Sequence, residues 1–311
     1  MKNSELLPRL KKKDPVALAR AISIVENRKK DYQKLLEAIY PLEKQALKIG
    51  ITGAPGSGKS SLIERMIAGL RQQGKSLAVL AVDPSSPISG GALLGDRLRM
   101  IQHSNDPDVF IRSIANRGHL GGLSLSTHEI IDLLQAAGKD VILIETVGVG
   151  QSEVDIVNVA DVVLMILNPE SGDEIQVFKA GVIEIADLFV VNKSDLGGSD
   201  GKIAEIRNYF AYSGREPLVF PTSVKEDRGI PELLEGIARF RERERERIGE
   251  KSARMRQNYI EKIVIERVQE EMRGDARLAA LLRGDAAATP YQAAENIIAA
   301  WRKGGLHDKK D

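Results

Sequence analysis

Cysteine is absent from the 311 residues, aromatic side chains make up only 4%, and 45 Lys and Arg are almost cancelled by 44 Asp and Glu. Without cysteine there is no disulfide framework, no thiolate zinc or iron–sulfur site and no cysteine nucleophile, which excludes extracellular stapling and thiol redox chemistry. A cytoplasmic address fits that composition. Long apolar runs are lacking too: Val141–Ile144 and Val162–Leu167 fall far short of the roughly 20 residues that span a bilayer. The polar start Met1-Lys2-Asn3-Ser4-Glu5 has no signal-peptide hydrophobic region, so neither membrane partner nor export is expected. A net charge of +1 offers no global attraction to nucleic acid. The four histidines, His103, His119, His128 and His307, are scattered and form no metal-ligand pattern.

What is present is a succession of short runs rich in Val, Ile and Leu: Leu47–Thr52, Leu77–Asp83, Val109–Ile114, Asp140–Thr146, Val162–Leu167, Leu188–Asn192 and Leu218–Phe220. Such strands, buried on both faces and alternating with helices, predict an α/β domain with a mostly parallel sheet flanked by helices, over residues 47–235. Residues 1–46 read as a helical arm, with helices at Pro15–Ile22 and Tyr32–Ile39, the first opened by Asp14 as N-cap. Residues 236–311 read as a helical extension in which strong helix formers run from Ile237 to Arg273. The Arg241–Arg247 run of alternating Arg and Glu is a solvated helix face, since its acids cancel its bases. Ile248, Met255, Tyr259, Ile263 and Val268 fall near one helical stripe that must pack on the core or on a partner chain. Gly274 and Gly284 are expected to interrupt the helix, with further helix ending near Trp301. Divided at these boundaries, the balanced charge becomes +5, −8 and +4.

The strongest local signal is Gly53-Ala54-Pro55-Gly56-Ser57-Gly58-Lys59-Ser60, placed between the strand Leu47–Thr52 and a helix beginning at Ser61. Glycines there permit backbone torsions that turn consecutive N–H groups toward one anion, and the helix N-terminus adds its dipole. Lys59 can reach β- and γ-phosphates, and the Ser60 hydroxyl can bind Mg²⁺. Residues 53 to 61 thus form the expected phosphate site of a nucleoside triphosphate.

Asn192-Lys193-Ser194-Asp195 closes a later strand, at the sheet edge where that nucleotide would lie. A carboxylate at 195 can accept hydrogen bonds from N1–H and the 2-amino group of guanine, which adenine cannot offer, so GTP is favoured over ATP. Thr222, Ser223 and Val224, after another strand, could give backbone N–H groups to the guanine O6. Strand Asp140–Thr146 ends in Glu145-Thr146-Val147-Gly148, where an acid can bind Mg²⁺ and Gly148 lets an N–H approach the γ-phosphate. Asp83 and Asp96 are candidate metal ligands beside Glu145 and Ser60, although an Asp before Pro84 is equally a turn initiator. Gln151 could position water or simply be a solvated turn residue, and Arg97 and Arg99 could act as an arginine finger only if a loop closes.

These residues resemble the MeaB/ArgK-like GTPases, the methylmalonic aciduria type A protein group, within the SIMIBI class of dimerising P-loop NTPases. The resemblance runs through Leu18-Ala19-Arg20-Ala21-Ile22-Ser23 with Val25-Glu26, the phosphate loop, Val82–Pro87, Gly90–Arg97, Glu145–Glu153, Gly172–Gln176 and the Asn192–Asp195 element. It implies a GTP-hydrolysing chaperone that gates adenosylcobalamin loading into an acyl-CoA mutase and protects it, with hydrolysis slow until the partner accelerates it. By motif match, Lys59 would hold phosphates, Ser60, Asp83, Asp96 and Glu145 would organise Mg²⁺, and Asp195 would read guanine. The stretch 168–179, with Asp173, Glu174 and Lys179, would be the switch that passes nucleotide state to the mutase; its residues alone suggest a charged loop capping a helix. The C-terminal helices would form a homodimer. The competing readings are a kinase linked to lysine, arginine and ornithine transport, a nickel-insertion GTPase, and a protein in which nucleotide is only a brace.

Overall fold

The computed structural model describes residues 3–42, 44–84, 103, 105–116, 125–146, 154–169, 182–212, 214–275, 278, 280 and 289–304. Of the expected site and switch residues, Asp96, Arg97, Arg99, Gly148, Gln151, Asp173, Glu174 and Lys179 lie outside that set.

Seven strands make one sheet: β1 (Leu47–Thr52), β2 (Leu77–Pro84), β3 (Val109–Asn116), β4 (Val141–Thr146), β5 (Val162–Leu167), β6 (Leu188–Val191) and β7 (Leu218–Pro221). Their order is β3-β2-β4-β1-β5-β6-β7, and each of these neighbouring pairs is parallel. The helices are α1 (Asn3–Lys11), α2 (Pro15–Glu26), α3 (Tyr32–Ile39), α4 (Lys59–Gln72), α5 (Leu125–Ala136), α6 (Val182–Ile185), α7 (Ser199–Phe210), α8 (Ile230–Arg243), α9 (Arg245–Gly274) and α10 (Pro290–Gly304).

Every residue of β4, β5 and β6 is buried, as unbroken apolar runs require when helices cover both sheet faces. On one face α4 presents Leu62, Ile63, Met66 and Ile67, and α8 presents Leu233, Leu234 and Phe240, to Ile49, Ile51, Leu143 and Leu164. On the other, α1, α2, α3 and α5 cover Ala78, Leu80, Ile142 and Ile144, while Ile206 and Phe210 of α7 meet Met165, Phe189 and Val191. Each such buried side chain contributes roughly 1.5–3 kcal/mol relative to exposure, so packing rather than propensity fixes these helices.

The N-cap expected at Asp14 is present: its carboxylate accepts the amides of Val16 at 2.9 Å and Ala17 at 3.3 Å. Helix α1 contains Pro8, which local pattern reads as a breaker; burial of Leu6 and Leu10, one turn apart, outweighs the lost hydrogen bond. The helix expected from Ile237 to Arg273 begins earlier, at Ile230 behind Gly229, and is interrupted at Glu244. There Arg243 and Arg247 both donate to the Glu244 carboxylate, and Arg247 also reaches Asp187 at 2.8 Å. That bond to a residue just before β6 pins the start of α9 at the N-terminal end of the strands.

The chain divides into two compact units, Met1–Met255 and Arg256–Asp311. The three N-terminal helices belong to the first and share its core. In the second, Leu278 and Ile297 are buried, whereas Ile260, Val264 and Ile265 of α9 are about half exposed. No described helix is long and apolar enough to cross a membrane.

Candidate nucleotide site

The loop Gly53–Gly58 leaves the C-terminal end of β1 and enters α4. Gly53 has φ 143°, and a Cβ there would lie 2.2 Å from the Ile166 carbonyl oxygen on β5. Gly58, at φ 92°, caps α4, and a Cβ on it would lie 2.3 Å from the Asn192 amide nitrogen. Both positions therefore demand glycine for conformation and for space. The loop closes on itself through Ser57 N donating to Ala54 O at 3.2 Å, and Pro55 and Gly56 occupy its outer turn.

Lys59 opens α4 and is nearly buried, its ammonium donating to the carbonyls of Gly53 at 2.7 Å and Ala54 at 3.1 Å. The cation is thus held on the loop itself. Two hydroxyls beside it, Thr52 Oγ1 and Ser57 Oγ, are buried without a hydrogen-bond partner among the described residues. Buried donors left in that state favour a ligand rich in acceptors, which a phosphate chain supplies.

Ser60, next along α4, donates to Glu145 at 2.9 Å, joining the helix to the end of β4. Glu145 is 1% exposed and Asp83, near the end of β2, is 2% exposed. In the parallel register Ala81 lies opposite Glu145, so Asp83 falls on the same sheet face one pleat further along. A hydroxyl and two carboxylates are hard oxygen donors and fit Mg²⁺, which typically takes one or two carboxylates and completes its shell with phosphate and water. Among the described residues no three His, Asp or Glu side chains converge on one point.

The Asn192–Asp195 element follows β6 directly. Asn192 is buried and spans three segments: its amide donates to Ser57 O at 2.9 Å, its carbonyl accepts from Thr222 Oγ1 at 3.2 Å, and its backbone N–H bonds Leu167 O at 2.9 Å. Lys193 takes a left-handed φ of 59°, an uncommon conformation for a non-glycine residue, and starts the 3₁₀ turn Ser194–Leu196. Asp195 accepts the Ser223 hydroxyl at 2.7 Å, and this bond, with Lys225 and Arg228 nearby, holds its carboxyl below the ordinary Asp value. It is ionised at neutral pH, as an acceptor for guanine N–H groups must be.

Thr222 N donates to Val191 O and Ser223 N to Arg228 O, so of the three amides considered for the guanine O6 only that of Val224 is not committed to the backbone. The other two are spent because Thr222 continues the β7 pairing and Ser223 closes a bridge with Arg228. Arg228 is a member of this corner that local spacing did not reveal; its guanidinium donates to Ser194 Oγ at 3.1 Å. Thr52 is another, since a strand-end threonine carries no motif.

A family model described as methylmalonyl-CoA mutase-associated GTPase MeaB matches residues 18–277. A Pyrococcus abyssi relative named as a GTPase is 47% identical over 245 residues, covering 76% of each chain. A mouse relative named methylmalonic aciduria type A homolog, mitochondrial, is 45% identical over 192 residues, 57% of this chain and 46% of that one. Among solved structures, one titled LAO/AO transport system kinase superposes with a TM-score of 0.69 at 27% identity, covering 96% of this chain and 97% of the other. Matched by that family model over most of its length, the chain belongs to the MeaB family of guanine-nucleotide-binding GTPases.

Proposed function

We propose that this protein is a Mg²⁺-dependent GTPase that gates adenosylcobalamin loading into a cobalamin-dependent acyl-CoA mutase and protects that enzyme, working as a cytoplasmic homodimer through its C-terminal helices. The observation that carries the nucleotide part is the Asn192 side chain, which ties the phosphate loop at Ser57 to the strand that bears Asp195. Phosphate and base would then be read by one rigid corner. The mutase part rests on the family description and on the name of the mouse relative.

In this reading Gly53 to Ser61 surround the phosphates, Lys59 exchanges the carbonyls of Gly53 and Ala54 for β- and γ-phosphate oxygens, and Asn192, Lys193, Asp195 and Val224 hold the base. Ser60, Asp83 and Glu145, with Asp96, would hold Mg²⁺, which supplies charge neutralisation across the β- and γ-phosphates. Water attacks the γ-phosphorus in line, the bond to the bridging oxygen breaks, and GDP and phosphate leave. Fixed N–H donors and the Lys59 charge lower the barrier because they need little reorganisation when charge develops. Gly148 is proposed to bring an N–H to the γ-phosphate, and Lys179 to act from the switch stretch 168–179.

The test is turnover of GTP by the purified chain with and without a cobalamin-dependent acyl-CoA mutase, alongside co-purification of the two. Slow turnover alone, accelerated by the mutase, is the expected result. Rapid turnover that the mutase leaves unchanged, with no co-purification, would sink the proposal. Equal affinity for ATP and GTP would instead favour the kinase activity that the structural neighbour's name describes.

A further inference from the structure

Helix α9 is 30 residues long, yet only Met255 of it is buried. Helix α8, just before it, buries Ile230, Leu233, Leu234, Ile237 and Phe240 in the core that covers the sheet. Helices ordinarily hold to a sheet by such an apolar stripe. Over the first three turns of α9 the corresponding stripe reads Arg247, Ile248, Lys251, Ser252 and Met255, with Ile248 partly buried. Charge takes the place of apolar packing.

The stripe meets two aspartates that stand just before neighbouring strands, Asp161 before β5 and Asp187 before β6, both buried. Arg247 donates to Asp187 Oδ1 at 2.8 Å, and Ser252 Oγ donates to Asp161 Oδ1 at 3.3 Å. Between them the Lys251 ammonium lies 3.9 Å from Asp187 Oδ2 and 3.5 Å from the Asp161 carbonyl oxygen, too far for a strong bond to either. Burial holds that ammonium below the ordinary Lys value, against the pull of both acids.

Neither acid depends on α9 for a partner. Asp161 accepts the Lys48 amide at 2.9 Å and pairs with the Lys48 ammonium at 2.9 Å, while Asp187 accepts the Val163 amide at 2.9 Å. Each carboxylate keeps a donor from the sheet when the helix leaves, and departure admits water to both, so undocking escapes the penalty of a buried charge left bare. On the helix side, the Arg247 side chain is 47% exposed and keeps Glu244 at 3.0 Å and the Phe240 ring at 5.3 Å. An ion pair so exposed holds weakly.

We propose that α9 is a releasable arm: Arg245–Met255 undocks as one piece about a hinge at Glu244, where the helical backbone is already broken, and Arg247, Lys251 and Ser252 on Asp161 and Asp187 are its latch. The latch opens when charge is screened or neutralised, because the apolar surface given up is little more than Met255 and part of Ile248.

The chain has no cysteine, so Glu216→Cys/Glu250→Cys, at two exposed positions, places two spin labels on the full-length protein without competing thiols. Pulsed electron resonance reads the distance between them at about 0.01 M and about 1 M salt, over which the screening length falls about tenfold. A second, longer distance is expected to grow with salt from under about a tenth of the molecules, and to dominate at low salt when Arg247→Gln/Lys251→Gln is added. GTP turnover, and hydrogen exchange of β1, β5 and β6, should stay as in the parent, which shows that the variant is folded. A single distance under all conditions would overturn the proposal. So would faster hydrogen exchange in 247–255 with no change of distance, since the helix would then fray in place, and so would a salt response of equal size in the parent and the charge-neutralised variant.

Discussion

In the proposed mechanism, Lys59 is a catalytic cation stored before it is used. Its ammonium rests on two carbonyls of its own loop, at 2.7 and 3.1 Å, so the exchange for phosphate oxygens replaces hydrogen bonds already made and avoids a bare buried charge. Lys59→Ala should lower kcat for GTP by about 10²–10³-fold, the scale of losing one preorganised charge stabiliser, with a far-UV circular dichroism spectrum like that of the wild type. A kcat within twofold of wild type would remove Lys59 from the mechanism. If Asp195 reads the base as proposed, Asp195→Asn exchanges one acceptor oxygen for a donor facing N1–H and the 2-amino group. GTP affinity should fall by at least about tenfold, while xanthosine triphosphate, which carries an oxygen at position 2, should lose less. Calorimetry with both nucleotides reads the difference directly.

Elements are held in register by residues that lie away from the nucleotide. Asp140, just before β4, accepts the Ser76 amide at 2.9 Å and pairs with Lys44 at 2.9 Å, tying the entries to β1, β2 and β4 together. Burial by itself would raise the Asp140 carboxyl, yet the Lys44 ammonium and the Ser76 amide and hydroxyl hold it far below the ordinary Asp value. Because the folded pKa is depressed, the stability it confers is complete above the unfolded Asp value of about 3.9 and is lost as pH falls from there toward the folded value. Asp140→Asn should therefore destabilise by about 1–3 kcal/mol in urea unfolding at neutral pH, and the gap from wild type should shrink on acidification. A gap that widened in acid would contradict the assignment. At the phosphate loop, Gly53→Ala sets a Cβ against the Ile166 carbonyl in a left-handed conformation. It should cost at least about 1–3 kcal/mol and weaken GTP binding, which a thermal melt with and without nucleotide would register together.

For the molecule as a whole, charge and exposed apolar surface decide association. The sheet segment 47–235 carries −8 between helical segments of +5 and +4, so binding to the proposed mutase partner should weaken as ionic strength rises. Ile260, Val264 and Ile265 on α9 are 49%, 53% and 56% exposed, and three large apolar side chains within two turns form a contiguous patch suited to a partner. If the proposed homodimer forms through these helices, replacing all three with Glu should shift it to monomer in sedimentation equilibrium while leaving the α/β unit folded. A dimer that persisted would place the homodimer contact elsewhere.

Strand identity, the parallel α/β class, the N-cap at Asp14 and the phosphate loop were legible in the sequence because each depends on near neighbours: apolar runs, a carboxylate two and three residues before its amides, glycines at fixed spacing. The Asn192–Asp195 element was legible for the same reason. Tertiary structure alone decided what depends on distant partners. It set Asn192 on Ser57, 135 positions away, gave the amides of Thr222 and Ser223 to backbone bonds, and interrupted the C-terminal helix at Glu244 beside the Arg247–Asp187 pair. It also placed Arg112 against Glu26 under α2. Local pattern fixes torsion preferences and which side chains shun water; which polar groups meet is settled only when packing sets strand order and brings remote segments within hydrogen-bond reach.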